Sequence, residues 1–319
     1  MRTTNYRVLA VSFSQTGQLD SVLETILKPL EKDDSIKVDR LHIQPKSDYP
    51  FPWPLMRFLD EFPEAVQMVP PEIEEPTIDP DASYDLIILG YTVWFLSPSP
   101  PITAFLKSKK GIETLKDKPV VTVVACRNMW LSAQQSIKKM INGIGARLID
   151  HAAFVDSGSP IATFITTPRR MLTGRKEGFM GLPPAGIDPD DIKRRGTRIG
   201  RALRHALHSS MIGSNQTVLH GLQAVNVDTQ LIVSERIGRR SFNVWSKILR
   251  KAGVQGGHMR QWVLVIYLIF LLIMIVTVVP LSLLIRRLAQ PLTSTHLNKL
   301  KEQYELPSGS SNERVEDFD

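Results

Sequence analysis

Between Gln261 and Ile285 the chain has no charged residue, and arginines stand immediately outside at Arg260, Arg286 and Arg287. As a helix this stretch reaches about 37 Å, enough for a hydrocarbon core of about 30 Å with some tilt. Eighteen of the residues from Trp262 to Ile285 are Leu, Ile, Val or Phe. At about −0.3 to −0.6 kcal/mol each near the bilayer centre, they outweigh Pro280 and the weakly polar Tyr267, Thr277 and Ser282. The core helix of a water-soluble domain rarely stays apolar on every face for this long. The expectation is a single C-terminal transmembrane helix over 261–285. A long polar region precedes it and Met1 to Tyr6 lacks an apolar core, so neither segment reads as a cleaved secretory signal. Arg236, Arg239, Arg240, Lys247, Arg250, Lys251 and Arg260 precede the span, against Arg286, Arg287, Lys299 and Lys301 after it. The excess on the first flank places the N-terminal part in the cytoplasm, at the inner membrane.

The 319 residues leave room for one globular domain of about 200 residues ahead of the anchor. The formal charge of +7 is concentrated beside the span, which points to anionic lipid rather than nucleic acid as the basic region's partner. A single cysteine, Cys126, excludes an internal disulfide and suits a reducing compartment. No metal-ligand spacing such as CxxC or HExxH is present, so no metal is expected.

Tyr6 to Phe13 is a short apolar run of the kind buried in a parallel sheet. It leads through Ser14-Gln15-Thr16-Gly17-Gln18-Leu19 into the helical pattern SVLETILKPL. Such a loop sets backbone N–H groups and hydroxyls at a helix N-terminus, where the helix dipole favours a phosphate. The same residue types also cap helices with no ligand involved. Further strands are expected at Ile36–Ile43, Tyr84–Leu89, Pro119–Ala125 and Arg147–Val155, with helical patterns between them. Five strands alternating with helices call for a doubly wound parallel sheet covered on both faces. After the third strand comes GYTVWFLSPSPP, which puts Trp94 and Phe95 at the carboxyl edge of the sheet, where open α/β folds bind ligands. A packed aromatic turn is the alternative for this pair. The fourth strand exits through Cys126-Arg127-Asn128-Met129-Trp130. A last helix from Asp188 to about His208 completes the domain over 1–208. Residues 209–260 read as a basic juxtamembrane linker, with Phe242 to Leu249 suited either to lie on a membrane surface or to pack as a helix on the globular domain. The polar tail 286–319 is expected to be disordered.

Together these residues carry a resemblance. Ser14-Gln15-Thr16-Gly17, the strand YDLIILG with Val93-Trp94-Phe95, and the loop after VVTVVA resemble, in order and spacing, the three flavin mononucleotide (FMN) loops of flavodoxin-like proteins and related quinone reductases. More narrowly, YPFPWP, the DEFPE segment at Asp60–Glu64, GYTVWFLSPS and ACRNMW resemble the dialkylresorcinol condensing enzymes, which share the flavodoxin-like fold. The resemblance covers roughly residues 5–208. It implies that Ser14, Gln15, Thr16, Gly17, Gln18 and Leu19 hold the flavin phosphate. Thr92, Val93, Trp94 and Phe95 would border the isoalloxazine ring, with Cys126, Arg127 and Asn128 on its other side. NAD(P)H is then the candidate electron donor. Arg127 near the ring would favour the anionic reduced flavin and two-electron chemistry.

Two segments exceed a minimal fold, at 44–54 and 156–187, and both follow strands at their carboxyl ends. Their Tyr49, Phe51, Trp53, Phe164, Met171, Phe179 and Met180 suit a lipophilic substrate, and Arg169, Arg170, Arg175 and Lys176 suit an acidic group or a membrane surface. No catalytic residue can be singled out. Carbon–carbon condensation needs an activated thiol with basic helpers, and the only cysteine sits in a flavin loop. Cyclisation or aromatisation of a lipophilic ring fits better. The alternatives are an NAD(P)H:quinone oxidoreductase and a flavin-free scaffold that brings partner enzymes to the membrane.

Overall fold

The computed structural model describes residues 6–319 apart from 80, 157 and 215; the side chains of 160, 161, 164 and 278–294 are also outside the description. Five strands form the parallel sheet: β1 (Tyr6–Ser12), β2 (Ile36–His42), β3 (Leu86–Trp94), β5 (Pro119–Cys126) and β6 (Arg147–Val155). Their order is β2-β1-β3-β5-β6. The short β4 (Ser97–Pro98) pairs antiparallel with the end of β3. The sheet therefore has six strands where five are expected, because the aromatic loop after β3 folds back as a hairpin. In chain order the parallel strands run 2-1-3-4-5, the flavodoxin-like order, with its switch point between β1 and β3. β5 is buried along its whole length, as apolar runs covered on both faces should be.

The first and last helices of the domain share one face of the sheet. α1 (Gln18–Glu31) packs on α7 (Pro189–His208) so closely that a Cβ at Gly200 would lie 2.2 Å from Ile26 O. Elsewhere run α2 (Leu55–Gln67), α3 (Pro100–Lys107), α4 (Lys109–Leu115) and α5 (Leu131–Ile144). The 156–187 segment forms α6 (Pro160–Thr173) and a turn-rich return.

Beyond α7 the structure differs from a linker and a loose tail. Val218, Leu219, Leu222, Ala224, Val225 and Val227 join the main core. α8 (Thr229–Lys251) then leads to α9 (His258–Glu305), which contains the apolar stretch. The tail after α9 is docked on the α/β domain instead of disordered. Ser308 Oγ donates to Asp150 Oδ1 at 2.7 Å and accepts from the amide of His151 at 2.8 Å. Arg198, buried in α7, donates to both carboxylate oxygens of Asp319 at 2.7 and 2.8 Å. The polar composition of 286–319 hides this docking, which rests on hydrogen bonds to buried partners and on Leu297, Leu300, Tyr304 and Phe318 packed against the core.

Candidate functional site

β1 ends at the switch point, and its loop turns into α1 through Gly17, which has φ 75°. That left-handed conformation costs a glycine little and most other residues about 1–2 kcal/mol. α1 has no side-chain cap. The first amide the helix itself satisfies is that of Ser21, which donates to Gly17 O at 3.1 Å. The N–H groups of Gln18, Leu19 and Asp20 thus face out of the helix N-terminus, where an anion is stabilised by them and by the dipole. Ser14 Oγ is buried without a hydrogen-bond partner. A buried hydroxyl left so costs about 1–3 kcal/mol, and a phosphate oxygen would satisfy it. The donor set fits a phosphate group.

Gln15 does something else. Its side-chain amide donates to Tyr49 O and Pro50 O at 3.2 and 3.0 Å, and its oxygen accepts from Trp53 Nε1 at 3.1 Å. This side chain ties the 44–54 insert to the loop.

The second loop is shaped by a reversal that the sequence hides. β3 continues to Trp94, and Phe95 and Leu96 adopt φ 50° and 60°, the pair of left-handed residues that closes a two-residue hairpin. Thr92, Val93 and Trp94 are consequently strand residues. Trp94 packs edge-on against Phe13, Tyr49 and Trp53, with centroids 6.3, 5.0 and 5.6 Å away. Phe95 lies on Phe58 and Phe62. The packed-turn alternative thus accounts for much of both rings, although each also lines the site.

In the third loop, burial pushes the Cys126 thiol well above its ordinary range, so it stays protonated and unreactive. Arg127 Nε donates to Thr163 Oγ1 at 2.9 Å, and burial lowers the guanidinium to about 10, opposed by Asp156.

The cavity where the loops meet has a volume of about 200 Å³ and is lined by Gln15, Thr16, Gln18, Leu19, Thr92, Val93, Trp94, Phe95, Cys126 and Arg127. Asn128 lines a neighbouring cavity of about 550 Å³ instead, and Ser14 and Gly17 line neither. The α6 insert supplies Asp156, Thr167, Arg170, Met171, Ala185 and Gly186, of which the sequence singles out Arg170 and Met171. Asp156 accepts from Gly158 N and Gly186 N at 2.8 and 2.7 Å, holding both ends of the insert together. Arg170 donates to Ala185 O at 3.3 Å, and a Cβ on Gly186 would lie 2.5 Å from Gln18 Nε2. The insert therefore roofs the cradle. The cavity is smaller than the about 300–1,000 Å³ usual for small-molecule sites. Phe164 lies outside the described side chains, and Met180 is 85 % exposed, away from the cavity.

α8 braces two of the three loops. Arg239 donates to Leu96 O at 3.3 Å and to Ser97 Oγ. Glu235 accepts from the amides of Leu131 at 3.2 Å and Ser132, capping α5 directly after the third loop. Among the described residues no cluster of His, Cys, Asp and Glu is arranged to hold a metal ion.

The strand order and the three loops at the carboxyl edge define a flavodoxin-like α/β domain. No protein-family model matches the chain, and no curated protein does. Among solved structures, the chain is similar to a flavoprotein from Lactobacillus acidophilus NCFM in complex with FMN, at 17% identity over 47% of this chain and 93% of that one, with a TM-score of 0.37. A flavodoxin from the domain Archaea is 12% identical over 63% and 99%, with a TM-score of 0.35. The azoreductase from Bacillus anthracis str. Sterne is 11% identical over 53% and 94%, with a TM-score of 0.29.

Proposed function

We propose that this protein binds FMN at the carboxyl edge of its sheet and is a membrane-associated flavin-dependent oxidoreductase or cyclase acting on a lipophilic ring substrate, in dialkylresorcinol-type lipid formation. The observation that carries the reading is the uncapped N-terminus of α1 beside the buried, partnerless Ser14 hydroxyl, in the loop whose Gln15, Thr16, Gln18 and Leu19 line the cavity together with the second and third loops. In this reading Ser14, Thr16, Gly17, Gln18 and Leu19 hold the phosphate, while Thr92–Phe95 and Cys126–Arg127 border the ring. Bound FMN would supply two-electron chemistry. The chain's own residues exclude water through the Trp53, Trp94 and Phe58 cluster and place the Arg127 charge beside the cavity.

The protonated, buried Cys126 argues against thiol-based condensation. The resemblance of YPFPWP, GYTVWFLSPS and ACRNMW supports the dialkylresorcinol assignment, and the apolar stretch of α9 supports a substrate drawn from the membrane, at the cytoplasmic face. Partner biosynthetic enzymes would supply that substrate. The same features support a second reading, an NAD(P)H:quinone oxidoreductase.

The test is the visible spectrum of detergent-purified protein after incubation with FMN and removal of the excess. A retained flavin band is expected, and its absence sinks both readings. Bleaching by NADPH and recovery on adding a quinone selects the second. Retained flavin that NADPH does not bleach, with turnover of an alkyl cyclohexanedione, selects the first.

A further inference from the structure

The two ends of α9 are fixed to one body. At the first end Arg260, 1% exposed, donates to Asp60 Oδ1 at 2.5 Å and to Glu64 Oε1 at 2.8 Å, both on α2. Tyr267 stacks on Phe62 at 4.7 Å, and Phe270 lies 5.0 Å from Trp245 of α8. At the other end Glu305 accepts from Val227 N at 3.0 Å, just before α8 starts. Tail residues Ser308 and Asp319 then bind Asp150 and Arg198 of the α/β domain.

These anchors sit too close together for a straight helix. Val227, two residues before α8, and Trp245 within it are at most about 30 Å apart. A straight helix from Phe270 to Glu305 would measure about 52 Å. α9 is helical from His258 to Glu305, so it must bend between them. The sequence has Pro280 and Pro291 in that interval, and a proline inside a helix removes a hydrogen bond and kinks it.

Docking also shortens what is left to cross a bilayer. Leu264 and Tyr267 are buried against the domain at 0% and 2% exposure. Beyond Phe270 only Leu271 to Ile285 remains before Arg286 and Arg287, and it spans about 22 Å against a hydrocarbon core of about 30 Å. Meanwhile Trp262, Ile266, Ile269, Ile273 and Val276 form an exposed apolar stripe on the opposite side of α9 from Leu264 and Tyr267. α8 exposes Ile237, Val244 and Ile248 among Arg236, Arg240, Lys247 and Lys251, the mixture of an interfacial helix on anionic lipid.

We infer that α9 bends along one face of the membrane, with its exposed stripe set in a single leaflet and no crossing, so that the tail and the α/β domain lie on the same side of the membrane. This replaces the single crossing expected from the sequence, and it is independent of the flavin reading. The occupant of the stripe is the acyl chains of that leaflet. The arginines after Ile285 suit a return to the headgroups.

The test uses the full chain with one added cysteine, Lys109→Cys in the domain or Glu316→Cys in the tail. Both positions are exposed, while native Cys126 is buried. Membrane vesicles of each orientation are treated with a membrane-impermeant maleimide, the unsubstituted chain serving as control. The inference expects both cysteines to label in the same vesicle orientation, with the same at least about tenfold preference over the other. Labelling of Glu316→Cys in the opposite orientation overturns it. Release of the chain by carbonate wash as a dimer, with the Trp262–Val276 stripe covered by a second copy, overturns it as well.

Discussion

The indole of Trp53 donates to the side-chain oxygen of Gln15 at 3.1 Å, joining the first insert to the loop that would hold a phosphate. The bond fixes the loop from behind, and Trp53 also buttresses Trp94 at 5.6 Å. Trp53→Phe retains most of the packing and removes the donor. At about 1 kcal/mol for such a bond, FMN affinity should fall about fivefold, read by quenching of flavin fluorescence. Trp53→Ala should melt the cluster and lower thermal stability by several kcal/mol, about 3–5 for a buried aromatic.

Ser14 predicts opposite effects on stability and binding. Its hydroxyl is buried and has no hydrogen-bond partner within the protein. Ser14→Ala should leave the flavin-free protein as stable as before or up to about 1 kcal/mol more so, and should weaken FMN binding about tenfold. A thermal melt and a binding titration on the same preparation decide it. Equal losses in both would mean that Ser14 is structural.

Glu235 links α8 to the third loop by accepting from two amides at the start of α5. Burial raises its carboxyl above the ordinary value, against the pull of those amides. Glu235→Ala should leave both N–H groups buried without an acceptor and cost about 2–4 kcal/mol. Glu235→Gln keeps one acceptor oxygen and should recover part of that. Hydrogen exchange at 126–132 should quicken in the first variant and less in the second.

The five parallel strands could be read from the sequence because each is an apolar run bounded by turn residues, and the cradle because glycine and hydroxyl residues sit between strand and helix. The turn at Phe95 and Leu96 could not: two bulky residues with positive φ carry none of the Asn-Gly signal of such turns. Glu235 and Arg239 looked like ordinary charges in a basic flank, because their role depends on partners more than a hundred positions away. The docking of Ser308 on Asp150 was equally hidden, since a serine in a polar tail has no pattern to mark it.

Asp150 makes the tail pH-sensitive in a defined direction. Burial pushes its carboxyl up to about 6, against hydrogen bonds from Ser308 and the Val218 amide. A group whose folded pKa is raised binds more protons in the folded state, so stability is greatest below the unfolded value of about 4 and declines as pH rises toward 6. The full loss is on the order of 3 kcal/mol. Comparison with Asp150→Asn isolates this from other carboxylates. Wild type should lose stability relative to the variant between pH 4 and 6 and hold a constant difference above pH 7, measured by thermal melts and exchange rates at 306–311.

The root of α9 offers the strongest single perturbation. Arg260 is enclosed by Asp60, Glu64 and the Asp60 carbonyl, the last 2.6 Å from Nη2. Taking one partner from a buried pair costs about 3–5 kcal/mol, because the remaining charges stay desolvated. Arg260→Met leaves Asp60, itself 7% exposed, without its cation, and leaves Glu64 with only Arg250, 3.8 Å away. The expected result is a drop in detergent melting temperature and faster exchange across 258–270. Adding Asp60→Asn and Glu64→Gln removes the stranded charges, so the triple variant should regain at least half of the loss even though it has fewer polar contacts. If the triple variant is instead less stable than Arg260→Met alone, the hydrogen bonds themselves hold the helix, and charge burial is the smaller effect.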